Sequence, residues 1–165
     1  HTNVSKIFRY KPDYNPKNVE VAIRFTNSKT TGLGMPLPAG RVRIFKADDD
    51  GSRILLGEDR IEHTPKDEEM TLVVGNAFDI AAEERTMSQN RVTQYIEDRD
   101  MEIELRNRKE TAVTVEVSKQ LYGFWEILET NFEYKKKDAN TVEFKIPVNA
   151  SQTVVVKYKV RYTYR

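Results

Sequence analysis

Apolar and polar residues alternate along most of this chain, which is the two-residue period of a half-buried strand rather than the period of a helix. In NVEVAIRFTN one face carries Val19, Val21, Ile23 and Phe25. MEIELRN sets Met101, Ile103 and Leu105 against outward Glu102, Glu104 and Arg106, and TAVTVEVS sets Val113, Val115 and Val117 against Thr114, Glu116 and Ser118. NTVEFKIPV places Val142, Phe144 and Ile146 on one side. The C-terminal run opposes Val154, Val156, Tyr158, Val160, Tyr162 and Tyr164 to Lys157, Lys159, Arg161 and Arg165. Acidic stripes such as Glu102 and Glu104 match that basic stripe as cross-strand pairs.

Turn signals separate the runs at Asp50-Gly51, Asn107 to Glu110, Lys137 to Asn140 and Pro147 to Ser151. ELRNRKETAVTVEV and FEYKKKDANTVEFKI read as hairpins. Residues 77–98 contain helix formers, Ala81 to Glu84, but Arg85 to Asp98 reads as one long polar strand feeding MEIELRN. One wet face per strand implies antiparallel sheets that need a covering layer. The expected fold is all-β, an antiparallel β-sandwich, immunoglobulin- or fibronectin-like in the second half. A composition break near Gly75 to Asp79 divides it into a β lobe over 1–78, continuing a larger protein, and a sandwich lobe over 79–165, the two packed as one unit.

Composition narrows the chemistry. At 165 residues the chain can bury roughly two-thirds of its unfolded surface without a staple. It has no cysteine, which removes disulfides, thiolate metal sites and cysteine nucleophiles. Lysine and arginine number 27 against 26 acidic residues, a net charge of +1, so no clustered basic footprint points to nucleic acid. No apolar run approaches the roughly 20 residues of a membrane helix. The chain opens on His1 rather than Met, without a signal-peptide apolar core, and reads as the C-terminal piece of something longer.

Gly32 to Phe45, GLGMPLPAGRVRIF, has the glycines of a phosphate loop but neither the dinucleotide nor the P-loop spacing. It opens an alternating strand instead of a helix, and Pro36 and Pro38 each remove an amide donor. The stretch reads as a turn, with Gly40 at its positive-φ position. KADDDGSR carries Asp48, Asp50 and Gly51 like half a calcium loop, with glycine misplaced and no flanking helices, so it reads as an Asp-Gly hairpin turn.

GEDRIEHTP groups Asp59, Glu62 and His63, a conceivable carboxylate-histidine site. Alternation splits them, with Asp59, Ile61 and His63 on one face and Glu58, Arg60 and Glu62 on the other. Surface and turn-stabilising roles compete with a ligand role, and an aspartate inside a strand makes Asp59 the residue to inspect first. There is no nucleophile elbow and no second internal histidine, so nucleophilic catalysis has no support. LYGFWEIL clusters Tyr122, Phe124 and Trp125, which could stack a sugar or meet a protein partner, or bury the indole in the core. Lys135 to Lys137 reads as a solvated tip or protected edge. Asn3 to Ser5 and Asn149 to Ser151 match the short N-glycosylation pattern.

Taken in order, PLPAGRVRIF, LLGEDRIEHTPKDE, VVGNAFDI, ELRNRKETAVTVEV, WEILETNFEYKKKDANTVEFKIPV and VVVKYKVRYTYR resemble the C-terminal domain of unknown function in mucoidy-inhibitor-A-like proteins. The resemblance runs from about Val19 to the end. It implies a longer protein, with a β-region and a coiled-coil-like helical segment ahead of this domain, exported in bacteria and linked to exopolysaccharide or envelope phenotypes. It supplies no catalytic or cofactor residues.

The resulting expectation is a non-enzymatic interaction module of an envelope-associated protein. Its partner would be another protein, its own N-terminal domain or a polysaccharide, without nucleic acid, metal, cofactor or membrane span in this segment. A carbohydrate-binding module using Tyr122, Phe124 and Trp125 is the second reading, and a hydrolase using Asp59, Glu62 and His63 the third. The compartment is periplasmic, secreted or envelope-associated, with the cytoplasm left open.

Overall fold

The computed structural model describes residues 4–164, so the readings that touch His1, Asn3 and Arg165 lie outside the described residues. The strands in chain order are β1 (Ser5–Tyr10), β2 (Asn18–Thr26), β3 (Gly40–Ala47), β4 (Arg53–Ile61) and β5 (Glu69–Thr93). They continue with β6 (Ile96–Asn107), β7 (Val113–Gln120), β8 (Phe124–Thr130), β9 (Tyr134–Lys136), β10 (Thr141–Val148) and β11 (Thr153–Thr163). The sole helical element among the described residues is a 3-10 turn at Lys29–Thr31.

The fold is all-β. Hydrogen bonds order nine strands as β8-β11-β6-β5-β2-β1-β7-β10-β9, and β3 and β4 pair by themselves. The large sheet is mixed, which corrects the purely antiparallel expectation. β1 runs parallel to β7, with Phe8, Arg9 and Tyr10 opposite Val115, Glu116 and Val117. Alternation reports which side of a strand is buried and is silent about the direction of its neighbour, and a long connection is what a parallel pair requires.

The chain forms two compact units, and β1, β2 and β5 each contribute to both. The first unit comprises residues 4–7 and Glu20–Asn76. Ala22, Met70 and Leu72 are buried there. So is Asn27, whose side-chain amide donates to the carbonyls of Met35 (2.8 Å) and Pro65 (2.9 Å) while its oxygen accepts the Gly34 amide (3.0 Å). One buried asparagine thus ties down the Gly- and Pro-rich loop. Gly32 and Gly34 take the left-handed conformation there, whereas Gly40, expected to do so, begins β3 without a positive φ. β3 and β4 form a hairpin about Asp50-Gly51, with an irregular register between Ile44 and Phe45.

The second unit comprises Phe8–Val19 and residues 77–164. Within it, β8-β11-β6-β5 form one set of paired strands and β1-β7-β10-β9 another. Their apolar faces meet: the rings of Phe144 on β10 and Tyr158 on β11 lie 5.8 Å apart. Val115, Val117, Val142 and Ile146 are buried on one side, with Ile80, Ala82, Ile103, Leu105 and Val156 on the other. Tyr10, wholly buried, fills the same core from the chain's first strand. This face-to-face packing of layers is what the alternating pattern demands.

Two local expectations are corrected. ELRNRKETAVTVEV is no hairpin, since β6 pairs with β5 and β11 while β7 pairs with β1 and β10. The link instead crosses between the sets, organised by buried Asn107, which donates to the Thr111 and Asn149 carbonyls and accepts the Lys109 amide. Arg85 to Asp98 is not one strand either, because β5 ends at Thr93 and β6 starts at Ile96. The FEYKKKDANTVEFKI hairpin is present, β9 pairing with β10. On the outer face the basic stripe of β11 meets acidic β6: Lys157 lies 3.0 Å from Glu102, Lys159 3.4 Å from Asp100 and Arg161 2.7 Å from Asp98.

Candidate functional site

Asp59, Glu62 and His63 do not assemble into one centre. The Asp59 carboxylate accepts the Val73 amide at 2.7 Å through one oxygen and the Arg60 amide at 2.8 Å through the other. Its place inside a strand is therefore explained by backbone donors on β5 and on its own strand. Beside it the β4 backbone at Gly57 presses on β5 so closely that a side-chain Cβ would lie 2.1 Å from the Val74 carbonyl oxygen. His63 is exposed, its Nδ1 accepting the Ala39 amide at 3.3 Å, and Glu62 faces solvent beside an open groove. Among the described residues no three histidine, aspartate or glutamate groups are gathered as metal ligands.

The aromatic stretch divides. Leu121 is buried, and Gly123 (φ 76°) turns the chain so that Tyr122 and Phe124 stand out at 64% and 56% exposure. Trp125 points the other way on β8, half-buried. Its indole N–H donates to the Ala139 carbonyl (3.0 Å), and the Lys136 ammonium sits 4.1 Å from its ring centroid. Both the polar edge and one face of the indole are thereby committed within the unit, where a cation over a ring is attractive. Lys136 itself lies on β9, a three-residue strand at the end of the pairing order, where shortness and lysines discourage further pairing.

Two residues absent from the sequence reading complete the surface around Tyr122. The Gln120 side chain donates from Nε2 to the Tyr14 hydroxyl (2.8 Å) and accepts from the Tyr122 hydroxyl through Oε1. Tyr14 is 69% exposed. Its loop is fixed by the Tyr14 and Asn15 amides, both donating to the Lys11 carbonyl, and by Asp13, which accepts the Gln120 amide at 2.8 Å. Nothing in the local spacing marks this set, because Tyr14 and Gln120 are 106 positions apart.

Behind it lies a charged cluster. The inward face of β7 runs Val115, Val117, Lys119, and that of β5 runs Ile80, Ala82, Glu84, so each apolar row ends in a charge. Lys119 Nζ lies 2.6 Å from Asp13 and 2.8 Å from Glu84, and the Tyr158 hydroxyl donates to Glu84 at 3.0 Å. The Lys119 side chain is only 11% exposed. Burial works against its charge, but the hydrogen bonds it donates to Asp13 and Glu84 prevail and hold its pKa above the ordinary lysine value. This is a locked cation rather than an amine nucleophile. Burial first, then the Glu84 charge, raises Tyr158 and Tyr10 above the ordinary tyrosine range. The charge at an inward position was the signal that could have revealed the cluster.

On the outer face a groove of about 440 Å³ runs past Met87, Asp100, Glu102, Asn131, Lys157 and Lys159. Its bases and two of its acids are the cross-strand pairs already described, Lys157 with Glu102 and Lys159 with Asp100, and Glu129 joins them from β8. Comparison with protein-family models, curated proteins and solved structures finds no match.

Proposed function

We propose that this chain is a non-enzymatic interaction module of a larger, envelope-associated bacterial protein, its second unit an immunoglobulin-like β-sandwich. The observation that carries the reading is the tip of the β3–β4 hairpin. Phe45 and Leu55 stand directly opposite each other across the paired strands, and Ile54 and Leu56 flank Leu55 in the same strand; each of the four is between 44% and 53% exposed. Monomeric proteins rarely present contiguous large apolar side chains to water, and such patches mark protein contacts. The register irregularity at Ile44/Phe45 supports this reading, since bulges re-aim side chains at functional edges. A protein partner with an apolar pocket is the fitting occupant. Envelope association and membership of the mucoidy-inhibitor-A-like family rest on the ordered sequence motifs.

Affinity capture with the full-length protein tests the assignment. The wild type is expected to retain a partner that a Phe45→Ser/Leu55→Ser variant loses, with both proteins unfolding at the same temperature. A variant that keeps every wild-type partner sinks the proposal.

A further inference from the structure

We infer that Tyr14, Gln120 and Tyr122 form a binding subsite for neutral carbohydrate on the second unit. This inference does not rest on the hairpin surface.

A glutamine side chain offers two N–H donors and two oxygen lone pairs. Gln120 uses one donor on Tyr14 and one lone pair on Tyr122, which leaves its amide one further donor and one further acceptor. That pairing matches two adjacent hydroxyls of a sugar ring, one accepting and one donating. Both tyrosine hydroxyls are engaged with the amide, while the two side chains stay 69% and 64% exposed. The faces of aromatic rings carry negative potential, and the C–H faces of pyranose rings are complementary to it.

Electrostatics and order point the same way. The charged groups beside Gln120, Lys119 with Asp13 and Glu84, sum to one negative charge, so the subsite's surroundings disfavour an anionic ligand. The loop bearing Tyr14 is tied to Gln120 through Asp13, and the Tyr122 loop is bent at Gly123. A surface already ordered loses little entropy on binding. A proline-rich peptide would also seek aromatic faces. The indole N–H that could bond its carbonyls is not free, because that of Trp125 is spent on Ala139.

The test is a nitrogen-proton NMR titration of the full chain with cellohexaose and maltohexaose, set beside an alginate fragment and decaproline, all at millimolar concentration. A neutral oligosaccharide is expected to shift the Gln120 side-chain and Tyr122 amide resonances saturably. Tyr14→Ala and Tyr122→Ala should each weaken it about tenfold or more, with folding checked by melting temperature. Phe45→Ser/Leu55→Ser should bind the same oligosaccharide unchanged, which separates this site from the hairpin. No shift with either neutral sugar, preferential response to alginate or decaproline, or binding indifferent to both tyrosines overturns the inference.

Discussion

The Asp59 carboxylate receives the Val73 amide at 2.7 Å, so an acid placed mid-strand serves the backbone of a neighbouring strand. Replacing Asp59 by alanine removes the acceptor and leaves that amide without its partner. Loss of about 1–3 kcal/mol is expected, read as a lower urea midpoint with an unchanged slope. Asn, which keeps one acceptor oxygen, should recover part of it. An alanine variant as stable as wild type would contradict this role.

Gly57 bears a sharper constraint. An added methyl at this position meets the Val74 carbonyl oxygen, a backbone atom that cannot rotate away. Gly in a strand interior often marks such an approach. Gly57→Ala should destabilise by about 1–3 kcal/mol, towards the upper end of overpacking effects, whereas Gly75→Ala, which meets nothing within 4 Å, should cost far less. Thermal melts of the two variants side by side decide the matter.

Lys119→Met would strand Glu84 and Asp13 beside an apolar side chain. Breaking one partner of such a pair costs about 3–5 kcal/mol, and this partly water-facing cluster should sit near the lower figure. Lys119→Met/Glu84→Leu is expected to regain part of the loss, because Asp13 still lacks the lysine and the Tyr158 hydroxyl loses its acceptor. If the double variant is no better than the single, the two charges are not coupled as their 2.8 Å contact implies.

At alkaline pH the tyrosines matter. The unfolded chain releases a phenolic proton near about pH 10, while buried Tyr158, its pKa raised by burial and by Glu84, keeps it. Above that pH the unfolded state binds fewer protons than the folded one, so stability is intact below it and falls as pH rises. Tyr158→Phe should flatten this fall without abolishing it, since Tyr10 is raised for the same reasons. Denaturant midpoints measured across the alkaline range with wild type and variant check the slope.

Strands and inward faces were legible because burial on one side imposes a period of two. Ile103, Leu105, Val142, Phe144 and Val156 are buried as the alternation requires. Partnership was not legible. The RNRKET link looks like a hairpin turn, yet its ends belong to different sets of strands, and only the Asn107 side chain reveals why. The same limit hid the Gln120 surface: Tyr14 sits in a turn with no pattern, and its neighbour arrives from the other end of the chain. Trp125 carried a visible signal of ambiguous meaning, because composition cannot tell an indole facing outward from one bonded to Ala139.

The passage of β1 and β2 through both units bears on how the protein can be handled and inherited. No contiguous cut yields a complete second unit. A fragment beginning at residue 77 would lack Tyr10 and Val19, both wholly buried, and would leave the β7 edge at Val115 to Val117 without the strand that pairs with it. Recombination that shuffles linear segments would split this core rather than transplant it, so the two units are bound to travel, and to vary, as a single cassette.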